Sequence, residues 1–166
     1  MEKLRQVIYY ILKKSANGRS RIDLSKLTYY CDAVYVQHHG TTITQETYLH
    51  LEDSPQALSF FHALSSLIKE GLVEVRLKVE NGKIGGFELF AKGNLLLNLE
   101  REEKRIINKV LSNFPSKVID EYRHYPNLYE TYVVSPMFSE IPLKVESVNT
   151  KIHFHKKKSL LSLSGK

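Results

Sequence analysis

A single cysteine, Cys31, leaves this chain unable to close an internal disulfide, which excludes a stapled secreted scaffold and fits a reducing compartment. No apolar run approaches the roughly 18 residues that a membrane-spanning helix requires. The opening residues, from Met1 through Glu2, Lys3 and Arg5, lead into an amphipathic pattern and not a continuous apolar segment, so no secretory signal is expected and a cytosolic location is. Tryptophan is absent, and no internal repeat is visible.

Chemical motifs are equally scarce. The seven histidines, at 38, 39, 50, 62, 124, 153 and 155, include no i, i+4 pair and no H-E-x-x-H, so neither a metal nor any other cofactor is implied. There is no G-x-S-x-G elbow, and Cys31 lies in a helical apolar pattern where a small core residue is expected, not a nucleophile. The stretch Gly82 to Gly86 lacks Walker spacing and follows a turn dipeptide, so it reads as a flexible wing. These absences argue against an enzyme.

Composition is that of an ordinary soluble protein, 42% hydrophobic and 25% charged over 166 residues, enough for one domain with a sizeable core. The net charge of +6 is concentrated at one end. Lys151, Lys156, Lys157, Lys158 and Lys166 fall in the last sixteen residues, which hold no acid, leaving 19 basic against 18 acidic side chains in residues 1–150. The division is therefore a nearly neutral body, 1–150, and a basic tail, 151–166, expected to be disordered. Lys156, Lys157 and Lys158 are candidate nucleic-acid phosphate contacts, of the salt-sensitive kind that reads no sequence.

Periodicity predicts an α+β fold, a mainly helical single domain with a β-hairpin after the third helix. Leu4, Val7, Ile8, Ile11 and Leu12 repeat on one helical face, and Asn17-Gly18 ends that helix. Ser20, with Asp23 three residues on, opens a second helix that turns Leu24, Leu27, Cys31, Val34 and Tyr35 inward and leaves Lys26, Tyr29 and Asp32 on other faces. After an irregular segment, Ser54-Pro55 reads as the cap and first residue of a third helix, with Leu58, Phe61, Leu64, Leu67 and Ile68 as its buried stripe and Gly71 as its C-cap. Val73, Val75, Leu77 and Val79 alternate with charged residues, predicting a half-buried strand. Asn81-Gly82 predicts a type I′ turn, and Ile84 to Phe90 a return strand bent at Gly85-Gly86. A helix is expected after Glu100 with Ile106, Ile107, Val110 and Leu111 inside, another beginning at Pro115 or Ser116 with Val118, Ile119 and Tyr122 inside, and a short helix or turn through Leu128 and Tyr132. Helix, helix and hairpin in this order are those of a winged-helix core.

Ten tyrosines are the chain's strongest compositional bias. Tyrosine joins a large apolar ring to a hydroxyl that needs a partner, so it is enriched at protein interfaces, although pairs such as Tyr29 and Tyr30 more often split between core and rim.

The words of one stretch, residues 21–75, add a family likeness. Leu24, Lys26, Leu27, Tyr29 and Tyr30 lead to Gly40, Ile43, Thr44 and Tyr48, then to Pro55, and end on Glu70, Gly71 and Leu72. This order resembles the Panacea domain, the SocA-like antitoxin domain, with Ser54 and Gln56 where that family has Gly and Val around its proline. The resemblance implies a non-enzymatic antitoxin, part of a toxin–antitoxin system on a mobile genetic element, that neutralises a cognate protein toxin by direct contact. It also implies pairing with unrelated toxin types, and in some members an adaptor role toward a protease. The residues it points to for toxin binding are Lys26, Tyr29, Tyr30, Tyr48 and Pro55, with the tyrosines as anchors, Lys26 as a rim contact and Pro55 as a helix entry. The competing expectation is a winged-helix regulator that binds DNA. Against it stand the neutral body and a third helix whose one strong base is Lys69.

Overall fold

The computed structural model describes residues 1–115 and 121–143. Val118, Ile119 and the basic tail with Lys156, Lys157 and Lys158 lie outside them.

α1 (Glu2–Lys14) buries the predicted stripe together with Tyr9 and Tyr10. It ends before a tight passage at Gly18, where φ is +67° and a Cβ would stand 2.7 Å from the Phe90 ring and 2.9 Å from the Leu89 carbonyl oxygen. Only glycine fits both the conformation and the space. Gly18→Ala is therefore expected to lose at least ~2 kcal/mol, from the left-handed strain plus overpacking, read as a lower urea midpoint at unchanged slope. A near-wild-type midpoint would mean that the chain before α2 can shift off the hairpin.

The next residue ties α1 to the hairpin. Arg19 and Leu89 exchange backbone hydrogen bonds of 3.1 and 2.8 Å, a one-residue third strand beside β4 (Lys83–Ala91). α2 (Arg21–His39) then starts as expected, with Ser20 Oγ accepting from the Asp23 amide and donating to its carboxylate. It ends on Gly40 in the left-handed conformation.

α2 is the central element, packed against α1, the hairpin, β2 (Pro55–Ala57) and α4 (Arg101–Asn113). Because it has neighbours all round, the one-sided reading of its sequence fails. Tyr29 and Asp32, expected on other faces, are fully buried.

The region around Pro55 departs further from expectation. Pro55 does not open a helix. It begins β2, which pairs antiparallel with β1 (Tyr48–His50) in the register Tyr48 to Ala57 and His50 to Pro55. The Ser25 hydroxyl donates to the Pro55 carbonyl at 2.7 Å, and Ser139 to Ile141 extends the pair along the other edge of β1. Proline suits this first strand position, where no ladder donor is required. The third helix, α3 (Phe60–Lys69), starts five residues later, with the Ser59 amide donating to Glu46. The shift rotates the buried face: Phe60, Ala63, Leu64 and Leu67 are inside, whereas Leu58, Phe61 and Ile68 are exposed.

Gly71 closes α3 as predicted, its amide bonding to Ile68 and that of Leu72 to Leu67, the paired bonds of a Schellman turn. β3 (Val73–Glu80) and β4 form the hairpin, with Asn81 and Gly82 both at positive φ in the two-residue turn. The predicted bend is a bulge: the register shifts beside Lys78 and Val79, leaving Gly85 extra. Only the root of the inner face, Val73 and Leu89, is buried, so the strand expected to be half-buried along its length is exposed from Val75 outward.

α4 is headed by a capping box between Glu100 and Glu103 and buries Ile106, Ile107 and Val110. α5 (Glu121–His124) is a single turn, and Pro126 opens α6 (Pro126–Val134), whose Leu128 reaches the core. The result is an α+β domain in which α1, the Arg19 bridge, α2, α3 and the hairpin follow one another in winged-helix order.

Candidate functional site

Three residues of the 21–75 stretch, Ile43, Thr44 and Tyr48, converge on one buried carboxylate. Asp32 is inaccessible to solvent, and Oδ1 accepts the amides of Ile43 at 2.8 Å and Thr44 at 3.1 Å. Oδ2 accepts the hydroxyls of Thr44 and, at 2.8 Å, Tyr48. Four donors thus fold the irregular segment 40–48 onto α2. The words Ile43, Thr44 and Tyr48 are the words that satisfy Asp32. Burial away from water outweighs those donors and pushes the Asp32 carboxyl up to about 6. No cation is among the causes acting on it.

Asp32 escaped the sequence reading, although one signal was there. It is the sole charge in the otherwise uncharged run from Leu27 to Gln37. A lone acid in such a run either faces solvent or is solvated by donors from elsewhere in the chain.

The five residues expected to touch a toxin sit as follows. Tyr29, Tyr30 and Tyr48 are core residues. The Tyr29 ring lies edge-on to Tyr30 and Tyr48 at 5.2 and 5.4 Å, and its hydroxyl donates to the Leu128 carbonyl. Tyr30 stacks on Tyr125 and leans on Phe114. Pro55 is buried in β2. Lys26 is largely covered and paired with Glu121 at 2.8 Å. The structure does gather these residues in one region between α2, β1–β2 and α6, but as architecture. The assignment of the three tyrosines as surface anchors and of Pro55 as a helix entry is corrected accordingly: their rings have no face left for a partner.

Chemically active side chains are occupied in the same way. Burial pushes the Cys31 thiol up and keeps it neutral. His50 Nδ1 lies 2.6 Å from the Ser135 carbonyl, and His39 is 3.5 Å from Glu102. Among the described residues no three His, Cys, Asp or Glu side chains gather as a metal site would need, and no helix is long and apolar enough to cross a membrane.

Among the described residues, exposed apolar side chains stand on the hairpin and α3. On the hairpin, Leu77, Val79, Ile84 and Phe87 share the face begun by Val73 and are each more than half exposed. Phe61 on α3 is as exposed, and Arg21 lies over its ring at 5.4 Å. Arg21 and Phe87 also line a groove of about 440 Å³ where the start of α2 passes β4, which connects the helix face to the hairpin face. Sequence periodicity put Phe61, Leu77 and Val79 on buried faces, because such spacing marks a common face without saying whether anything covers it.

Family models, curated proteins and solved structures give no match to this chain.

Proposed function

We propose that this chain is a cytosolic, non-enzymatic binding protein of the antitoxin kind, which neutralises a protein toxin by covering it. The observation that carries the reading is a pair of exposed apolar faces, Phe61 on α3 and Phe87, Leu77 and Ile84 on the hairpin, beside a groove lined by Arg21, Asp23, Lys78 and Glu88. Exposed apolar faces of this sort mark protein interaction sites, and the aromatic and arginine content is that of interface hot spots. The resemblance of residues 21–75 to the Panacea domain supports the same class. Occlusion asks nothing more than a complementary surface, of roughly 1,600 Å² in total for a standard stable complex.

The surface takes over the role first expected of the tyrosines. In the winged-helix order, the helix offered to a partner is α3, and its outward residues are Phe61, His62, Ser65, Ile68 and Lys69. A DNA-reading helix would present several bases there for phosphates and guanine edges. The winged-helix order itself favours the DNA-binding alternative, and the two readings separate by salt.

The test is coexpression with the product of the neighbouring gene, scored by growth rescue and by a native pull-down washed at high salt. Wild type should rescue growth and retain a stoichiometric partner. Phe61→Lys combined with Phe87→Lys should lower affinity at least tenfold while melting like wild type, since both rings are exposed. Undiminished binding by that variant would reject the surface. Retention of nucleic acid alone, lost on raising salt, would move the protein to the DNA-binding class.

A further inference from the structure

The hairpin has two edges, and they are treated differently. The β4 edge is blunted by the bulge at Gly85 and by the Arg19 bridge to Leu89. The β3 edge has neither device. It runs eight residues without proline or bulge, carries no charge on its apolar face, and meets no other strand among the described residues. Natural proteins avoid leaving such an edge open, because its outward amides and carbonyls template another strand.

The register of those groups follows from the Arg19 bridge. Leu89 spends its amide and carbonyl on Arg19, so its opposite number Val75 directs its own pair away from β4. By alternation Leu77 and Val79 do the same. We propose that this edge is a self-pairing surface, on which β3 of one copy joins β3 of a second copy antiparallel about Arg76, giving a four-stranded sheet in the order β4, β3, β3, β4.

Charge selects both the occupant and the register. β3 reads Val73, Glu74, Val75, Arg76, Leu77, Lys78, Val79, Glu80, so its charged positions run negative, positive, positive, negative. Centring the pair on Arg76 sets Val73 opposite Val79, Glu74 opposite Lys78 and Val75 opposite Leu77, each twice by symmetry. A one-residue slip would mix apolar and charged faces. Centring on Leu77 would oppose Glu74 to Glu80 and Arg76 to Lys78. The two Arg76 side chains meet at the axis, but each is already held within its own copy, over the Phe90 ring of β4 at 4.3 Å and onto Glu74 of its own strand at 2.8 Å. The strand is thus complementary to itself, as an isologous dimer requires. Pairing also doubles the apolar hairpin face into one platform, and it holds whatever protein or nucleic acid the chain binds.

The register makes a sharp test, run on the full-length purified chain. Arg76 would form a non-hydrogen-bonded pair with itself, with Cα atoms about 4.5 Å apart, inside the range that a disulfide spans. The native Cys31 is buried and silent. Under mild oxidation Arg76→Cys should become a covalent dimer within minutes, whereas Val79→Cys, six residues from its own symmetry mate, should stay uncrosslinked. Wild type should sediment with doubled mass at micromolar concentration, and Leu77→Lys, which puts a charge on the paired face, should sediment as a folded monomer. A monomeric wild type, or equal crosslinking at positions 76 and 79, would overturn the proposal. Neither outcome bears on toxin binding, so its failure is separable from that of the antitoxin reading.

Discussion

Asp32→Ala is expected to cost the fold about 3–5 kcal/mol, a large share of the stability of a domain this size. The loss has a specific source. Removing the carboxylate strands the Ile43 and Thr44 amides and deprives the Thr44 and Tyr48 hydroxyls of their acceptor, all in a region closed to water. Segment 40–48 should detach first, visible as loss of amide exchange protection at Ile43 and Thr44. Asp32→Asn should behave quite differently. Its carbonyl oxygen can keep the two amides, and its NH2 can donate to the hydroxyls, with Tyr48 turning to the Thr28 carbonyl 3.2 Å away.

The same pair of variants gives the pH dependence its sign. The Asp32 carboxyl rises from an ordinary 3.8 to about 6 in the folded protein. The folded state therefore holds this proton more tightly than the unfolded chain. Its stabilising contribution is fully present below pH 4 and is lost as pH climbs through 6, amounting to about 3 kcal/mol for a shift of two units. Asp32→Asn cannot ionise, so its stability relative to wild type should improve by about that amount between pH 4 and 7. Denaturant midpoints across that range are the measurement. Parallel curves for the two proteins would show that the four donors, and not burial, govern the carboxyl.

The second large effect is expected at the tyrosines. Tyr29→Ala with Tyr30→Ala should leave the protein unfolded or molten, since emptying each aromatic core position costs about 3–5 kcal/mol and the two sites touch. Tyr30 bridges α2 to Phe114 and Tyr125, so its loss also unseats the segment after α4. Tyr29→Phe isolates the polar part. It gives up a 3.3 Å hydrogen bond to Leu128 while keeping the ring, and should cost only about 1 kcal/mol. Circular dichroism melts decide the matter. A double variant that melts like wild type would return both rings to the surface and restore them as candidate anchors.

Taken together, these expectations recast the likeness in residues 21–75. Its words were legible, but their meaning was not. Ile43, Thr44 and Tyr48 look like a binding signature because they are polar and aromatic residues in a loop. The carboxylate that explains them lies eleven residues upstream of the first, on the far side of a helix C-cap. The exposed apolar side chains carry the spacing of core positions. In Leu58, Phe61 and Ile68, as in Val75 to Val79, apolar spacing specified a face and left open whether a neighbour would cover it.

The sequence by itself determined whatever depends on a few adjacent residues. Ser20 caps α2, Asn81-Gly82 turns the hairpin, Gly71 ends α3, and Gly85-Gly86 marks the bulge. Each follows from the conformational freedom or hydrogen bonding of the residue in place, which needs no distant partner. Tertiary structure alone decided the rest. It made Pro55 a strand residue, because Ser25 and Tyr48 to His50 were there to receive it. It buried Asp32, because four donors arrived from another segment. It also left the hairpin face bare, because no helix among the described residues extends over it. Burial is a property of neighbours, and the chain chooses its neighbours only when it folds.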